Sequence, residues 1–270
     1  MKILRMITIF LFVLSLALYL GISFRYKVVL DRVPPKIQSE SEVLEVSVNA
    51  TGAELLAGVT ARDNRDGDLT EQVMIQGISR LLTEDTARIT YVVADSSDNI
   101  ASCTRTLRYT DYENPRLSIG EMTVYRTFPH DDTIDRLCKS LTARDVRDGD
   151  LSDQIVVAVH GSNDRIEGEL QLTVQVTNSM GGTEVIPLTI VIDNEGAVNP
   201  LVTLREYITY VDKDADFIPS DYILTVNGED FEGDYPALHI HSNVDTAVPG
   251  AYQVCYQYKD FTVYQTVVVR

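Results

Sequence analysis

The sequence has no tryptophan and only three cysteines in 270 residues, and its basic side chains are heavily outnumbered. Only 23 Lys and Arg stand against 40 Asp and Glu, leaving a net charge of −17. Binding to a phosphate backbone depends on Lys and Arg displacing counterions, so this balance excludes DNA and RNA as partners. It also disfavours lying flat on an anionic leaflet, and suits solubility or divalent cations. There is no G-x-S-x-G elbow, no Cys/His nucleophile signature and no glycine-rich phosphate loop, so the chain reads as a non-enzyme with no catalytic residue to name. Gly181-Gly182 is a hairpin turn rather than a phosphate cradle.

One long apolar run is present. Residues 6–24, MITIFLFVLSLALYLGISF, carry no charge. At about 1.5 Å per residue they match a hydrocarbon core of about 30 Å, which predicts a transmembrane helix. Lys2 and Arg5 precede the run, and Arg25, Lys27 and Arg32 follow it, so charge flanks alone do not orient it. The run exceeds the 7–15 residues usual for a signal-peptide core, which favours an uncleaved signal anchor with the bulk of the chain outside the cytoplasm. Cleavage after Gly21-Ile22-Ser23 is the rival reading. No cysteine follows the run to accept a lipid.

Beyond the anchor the chain repeats itself. LLAGVTARDNRDGDLTEQV from Leu55 answers LCKSLTARDVRDGDLSDQI from Leu137, placing Asp63 opposite Asp145, 82 residues on. A weaker third copy, LTVNGEDFEGDYPALHI, starts at Leu224, and Gly233 is set opposite Gly149 with one inserted residue upstream. Pro35, Pro115 and Pro200 open the three units, where proline suits a linker or first edge strand. The units then alternate: Ile89, Tyr91 and Val93; Leu172, Val174 and Val176; Tyr252, Val254, Tyr256 and Tyr258. Polar turns follow each run. Strict alternation with turns between predicts antiparallel strands with one face on a core, and the 14 tyrosines and the 44% hydrophobic content suit such a core. No helical period is read after the anchor.

The predicted fold is therefore all-β, three tandem immunoglobulin-like β-sandwich domains after one N-terminal transmembrane helix. The divisions are 1–32 for the cytoplasmic tip, anchor and linker, then 33–112, 113–196 and 197–270 for the repeats, with junctions at Asn114-Pro115 and Asn199-Pro200.

The A-R-D-x-x-D-G-D-L stretch at residues 61–69 and 143–151, the V-D-T-A-V-P-G-A-Y-Q-V-x-Y-x-Y-x-D stretch at 244–260 and T-R-T-L at 104–107 resemble the bacterial immunoglobulin-like repeats found in pesticidal crystal proteins and Gram-positive surface proteins. The second unit departs from that pattern in lacking the P-G-x-Y turn, and the third distorts the D-G-D turn. The resemblance implies a sandwich fold and a cell-surface setting, and no catalytic activity.

The repeated acidic turn is the strongest candidate for chemistry. Asp63, Asn64, Asp66 and Asp68, with Asp145, Asp148 and Asp150, gather hard oxygen ligands of the kind calcium takes, although not at EF-hand spacing. The plainer reading is adopted: aspartates bond their own backbone, and Gly67 and Gly149 supply a positive φ. Calcium stays as the alternative. Glu229, Asp230, Glu232 and Asp234 of the third unit fit either. His239 and His241 share a strand face without a recognisable third ligand, and His130 and His160 stand apart.

The cysteines fall one to a repeat, which excludes disulfides within a repeat. Alignment turns Cys103 and Cys138 inward and Cys255 outward. The function expected is a non-catalytic surface spacer, adhesion or assembly module held in the membrane. The alternative is a carbohydrate- or cell-wall-binding module that uses exposed tyrosines such as Tyr207, Tyr210, Tyr235 and Tyr264.

Overall fold

The structure, a computed structural model, describes residues 2–29, 31–120, 124–126, 137–160, 168–193, 201–233 and 235–270. His130, Asp234 and the Asn199-Pro200 junction lie outside them. The chain divides into two compact units, Met1–Asp111 and Tyr112–Arg270.

The first unit begins with the helix Lys2–Val29. Its segment Arg5–Ser23 has a mean hydropathy of 2.3, and none of that segment is buried. A helix that is apolar all round finds no water-side face to present, so it is long and apolar enough to span a membrane or serve as a signal sequence.

The sandwich that follows has a three-stranded sheet of Lys36–Ser39, Val59–Asp63 and Gly67–Asp68. Facing it is a four-stranded sheet ordered Val43–Val46, Ile100–Tyr109, Thr86–Ala94, Met74–Ile78. Val43–Val46 runs parallel to its neighbour, and the other pairs are antiparallel. The alternation predicted for Ile89, Tyr91 and Val93 is observed, since all three are fully buried.

The second unit repeats this topology twice. Arg116–Ile119, Leu141–Asp145 and Gly149–Asp150 form one small sheet. It is paired with Val156–His160, Gly168–Thr177, Thr183–Asp193 and a parallel Val124–Arg126. In the third sandwich Val202–Leu204, Ile223–Val226 and Glu229–Asp230 face Leu238–Ser242, Gly250–Tyr258, Phe261–Val269 and a parallel Ile208–Val211. The fold is thus all-β sandwiches behind one N-terminal apolar helix.

The second and third sandwiches share a continuous core. Outward side chains of the last strand reach across in succession. Tyr264 donates to Glu169, and Thr266 Oγ1 donates to the Pro187 carbonyl at 2.9 Å. Arg270 reaches the Pro115 carbonyl at 3.3 Å and Glu184 at 3.1 Å. The Tyr210 ring has Arg270 4.2 Å and Arg116 5.4 Å from its centroid, and its hydroxyl accepts the Leu117 amide at 2.7 Å. Burial pushes the Tyr210 phenol up to about 12, so it stays a neutral hydrogen-bonding group.

Three expectations need correction. Cys138 was turned inward by alignment with Leu56, yet it is exposed. Residues 137–140 form a helical turn, so strand alternation does not apply, and Leu137 takes the buried place. Helix is also present after the N-terminal apolar helix, at Gly52–Leu56, where Thr51 and Glu54 form a capping box. Finally, the third acidic turn is one residue shorter than its counterparts, not longer. Val226 pairs with Glu229 around Asn227-Gly228, both at positive φ, whereas Asp63 pairs with Gly67 and Asp145 with Gly149. Val226 therefore occupies the place of Asp63 and Asp145, and Gly233 lies outside the turn.

Candidate functional site

The acidic turns of the first two sandwiches match bond for bond. Asp63 Oδ1 accepts the Arg65 and Asp66 amides at 2.7 and 2.9 Å. Asp145 Oδ1 accepts those of Arg147 and Asp148, both at 2.9 Å. Each closes a turn in which Gly67 and Gly149 take φ of 78° and 75°, a conformation cheap only for glycine. Asp68 and Asp150 accept the Thr70 and Ser152 amides. These bonds hold the short helical turn whose preceding Leu69 and Leu151 are buried.

Asp66 and Asp148 do something the sequence did not reveal. Asp66 takes both the amide and the hydroxyl of Ser96, each at 2.8 Å. Asp148 takes the amide of Ser179 at 2.6 Å and its hydroxyl at 2.8 Å. Each aspartate thereby ties the small sheet's turn to the hairpin turn of the facing sheet.

The two sandwiches part company at the next residue inward. In the second, Asn178 Oδ1 accepts the Gly182 amide at 2.8 Å. Its Nδ2 donates to Asp145 Oδ2 at 2.9 Å and to the Tyr112 hydroxyl at 3.2 Å. Every polar atom there has a partner. In the first sandwich the matching residue is Asp95, which has no amide hydrogen to offer. Its Oδ1 accepts the Ser97 and Asn99 amides, and Oδ2 accepts Asn99 Nδ2 at 2.7 Å. Asp31 enters the same pocket from the segment after the helix, its Oδ1 accepting the Val33 amide at 3.0 Å. Asp31, Asp63 and Asp95 are all buried, and one oxygen from each lies within 4.8 Å of the others.

Asp63 Oδ2 and Asp31 Oδ2 are buried with no hydrogen-bond donor among the described residues. Arg65 Nε stands 3.4 Å from Asp31 Oδ2 on a side chain that is 46% exposed. The Asp66 and Arg65 amides hold the Asp63 carboxyl below the usual carboxylate range. For Asp95 burial pushes upward, but the bonds from Asn99 and Ser97 outweigh it and the net shift is downward. Both favour the ionised form.

Of the residues named from sequence, Asp63 alone joins this cluster; Asp66, Asp68, Asp148 and Asp150 bond to amides and hydroxyls of the chain, and Asp145 adds the amide of Asn178. Asp31 and Asp95 were not singled out. Asp31 carries no local motif, but aligning the hairpin turns Asp95-Ser96 and Asn178-Ser179 would have shown the exchanged residue. His239 and His241 are exposed on one strand face, as expected. His160 Nε2 lies 2.5 Å from Thr173 Oγ1. Burial raises the Cys103 and Cys255 thiols above their ordinary value, which weakens them as nucleophiles.

The second site has its own test. A Cβ on Gly182 would fall 1.5 Å from the Tyr112 hydroxyl and 3.0 Å from Asn114 Oδ1. Gly182→Ala should therefore displace Tyr112 and cost about 1–3 kcal/mol in thermal unfolding. The same substitution on a Tyr112→Ala background should cost much less, and equal costs would show that the ring is not the obstacle.

No protein-family model matches the chain, and no curated protein shows significant sequence similarity to it. Among solved structures, the CBM51-2 and INT domains of Clostridium perfringens ZmpB share 19% identity over 56% of this chain, with a TM-score of 0.24. The chain spans about a quarter of that ZmpB chain, 26%. The lipoprotein BT2262 of Bacteroides thetaiotaomicron shares 13% identity over 86% of this chain and 98% of its own, with a TM-score of 0.22. Surface layer protein SbsC domains 1–6 share 12% over 88% of this chain and 40% of their own, with a TM-score of 0.20. Likenesses this distant assign no function.

Proposed function

We propose that the chain is a single-pass membrane protein that displays three immunoglobulin-like sandwiches outside the cytoplasm as a non-catalytic spacer, adhesion or assembly module. The observation that carries this reading is the helical segment Arg5–Ser23, apolar throughout its middle and with none of it buried against the described residues. An apolar surface of that length is costly in water and has its match in a bilayer. The repeats resemble bacterial surface modules, and the carboxylates of their acidic turns are largely engaged in shaping the backbone.

The tyrosines considered for sugar stacking have other work. Tyr207 is buried, Tyr210 lies against Arg270 and Arg116, Tyr235 packs on Phe231 and Tyr258, and Tyr264 bonds Glu169. Nothing in that arrangement favours the wall-binding alternative.

Fractionation of expressing bacterial cells tests the proposal. The chain should stay with membranes after alkaline carbonate extraction, and protease added to intact spheroplasts should digest the sandwiches. Mass spectrometry should find residues 1–24 still attached. Recovery in the soluble fraction, or protection from external protease, would overturn it.

A further inference from the structure

We propose that Asp31, Asp63 and Asp95 form a binding site for one divalent, oxygen-preferring cation such as calcium in the first sandwich, a site that the second sandwich lacks. The geometry meets the requirement. Oxygens that share a calcium ion at about 2.4 Å stand no more than about 4.8 Å apart, and the three carboxylate oxygens fall within 4.8 Å of one another. They are held in place without the ion, because Asp63 and Asp95 each fix one oxygen on two backbone amides and Asp31 fixes one on the Val33 amide.

Two buried oxygens point to the ligand: among the described residues Asp63 Oδ2 meets no donor, and Asp31 Oδ2 meets only the Arg65 guanidinium at ion-pair distance. A buried carboxylate oxygen without a partner is destabilising unless a charge of the opposite sign meets it. Arg65 offers one guanidinium, at 3.4 Å from Asp31, against three carboxylates. The second sandwich shows how the same position is satisfied without an ion. There Asn178 stands where the first sandwich has Asp95, and its amide donates to Asp145 Oδ2 and to the Tyr112 hydroxyl. Exchanging the amide for a carboxylate removes a donor and adds a negative charge, which is the change a cation requires.

Three carboxylates supply fewer than the six to eight oxygens calcium takes, so waters and carbonyls complete the shell. Asp31 lies two residues beyond the end of the apolar helix, whereas Asp63 ends a strand of one sheet and Asp95 directly follows a strand of the facing sheet. One ion would thus tie the linker after the helix to both sheets of the first sandwich.

The test uses the full chain in detergent, titrated with calcium chloride alone after chelator treatment and followed by calorimetry and thermal melting. One ion per chain should bind saturably and raise the melting temperature, with magnesium weaker. Asp31→Asn and Asp95→Asn should each weaken binding by at least about tenfold. Asp148→Asn, in the matching turn of the second sandwich, should bind as the parent does. Should Asp95→Asn fold poorly, Asp31→Asn decides alone, since Asp31 lies outside the strands. Absence of binding at millimolar calcium, or binding unchanged in both variants, overturns the proposal.

Discussion

Leu141→Asp is expected to unfold the second sandwich, while Asp145→Ala four residues along the same strand leaves it folded and weakened. Leu141 is 2% exposed, and its neighbour across the small sheet is Ile119, itself buried. A carboxylate there meets only apolar side chains, so it must be buried charged or take up a proton. Either cost, added to the lost leucine, exceeds about 4 kcal/mol, a large share of a domain's stability. Asp145 is half-buried and accepts three hydrogen bonds, from Arg147, Asp148 and Asn178. Their loss should amount to about 1–3 kcal/mol. Urea titrations followed by amide exchange over residues 141–193 would separate the two. Similar losses would mean that the inward parity of Leu141 is wrong.

That parity was legible in the sequence because a half-buried strand repeats every two residues, and three runs of this sequence do so without interruption. The N-terminal apolar helix was legible for a similar reason, as it shows in the sequence as a long run without charge. The first two acidic turns were located correctly and the third was not, and the partners of Asp66 and Asp148 were missed. Ser96 and Ser179 lie 30 and 31 residues further along the chain, and nothing local marks a bond across two sheets.

The last strand shows where alternation stops being informative. From Gln265 to Val269 every residue is buried. Gln265, Val267 and Val269 face the strand's own core, while Thr266 on the other face is covered by the second sandwich through Pro187. A stretch that loses its alternation reads the same whether its outer face is covered by a helix, a neighbouring domain or a lipid, so the packing of sandwich on sandwich was not predictable. Asp31 was illegible for a different reason. It follows an apolar helix in a stretch without periodicity, and only the fold brings it to Asp63.

The largest effect expected from removing a polar group also lies on that last strand. Gln265 is fully buried, yet it bonds on both sides. Its Nε2 donates to the Glu206 carbonyl at 3.1 Å and to Thr209 Oγ1 at 2.9 Å. Its Oε1 lies 2.7 Å from the hydroxyl of Tyr256, which also reaches the Pro219 carbonyl at 2.9 Å. One phenol proton therefore faces two acceptors, and the Tyr256 phenol, raised by burial, keeps that proton. Gln265→Leu preserves the volume but removes the donor from the carbonyl of the exposed Glu206 and from the buried Thr209 hydroxyl, which keeps its own bond to Glu206 Oε2 at 3.1 Å. Three hydrogen bonds at about 0.5–1.5 kcal/mol each are lost, so a loss of about 2–4 kcal/mol is expected in urea unfolding. Tyr256→Phe deprives only acceptors of one shared proton and should cost about 1–2 kcal/mol. The double variant should lose less than the sum, because both singles break the same contact. A loss below about 1 kcal/mol for Gln265→Leu would show that water or a rearranged side chain satisfies these groups, and that the amide does not hold the third sandwich together.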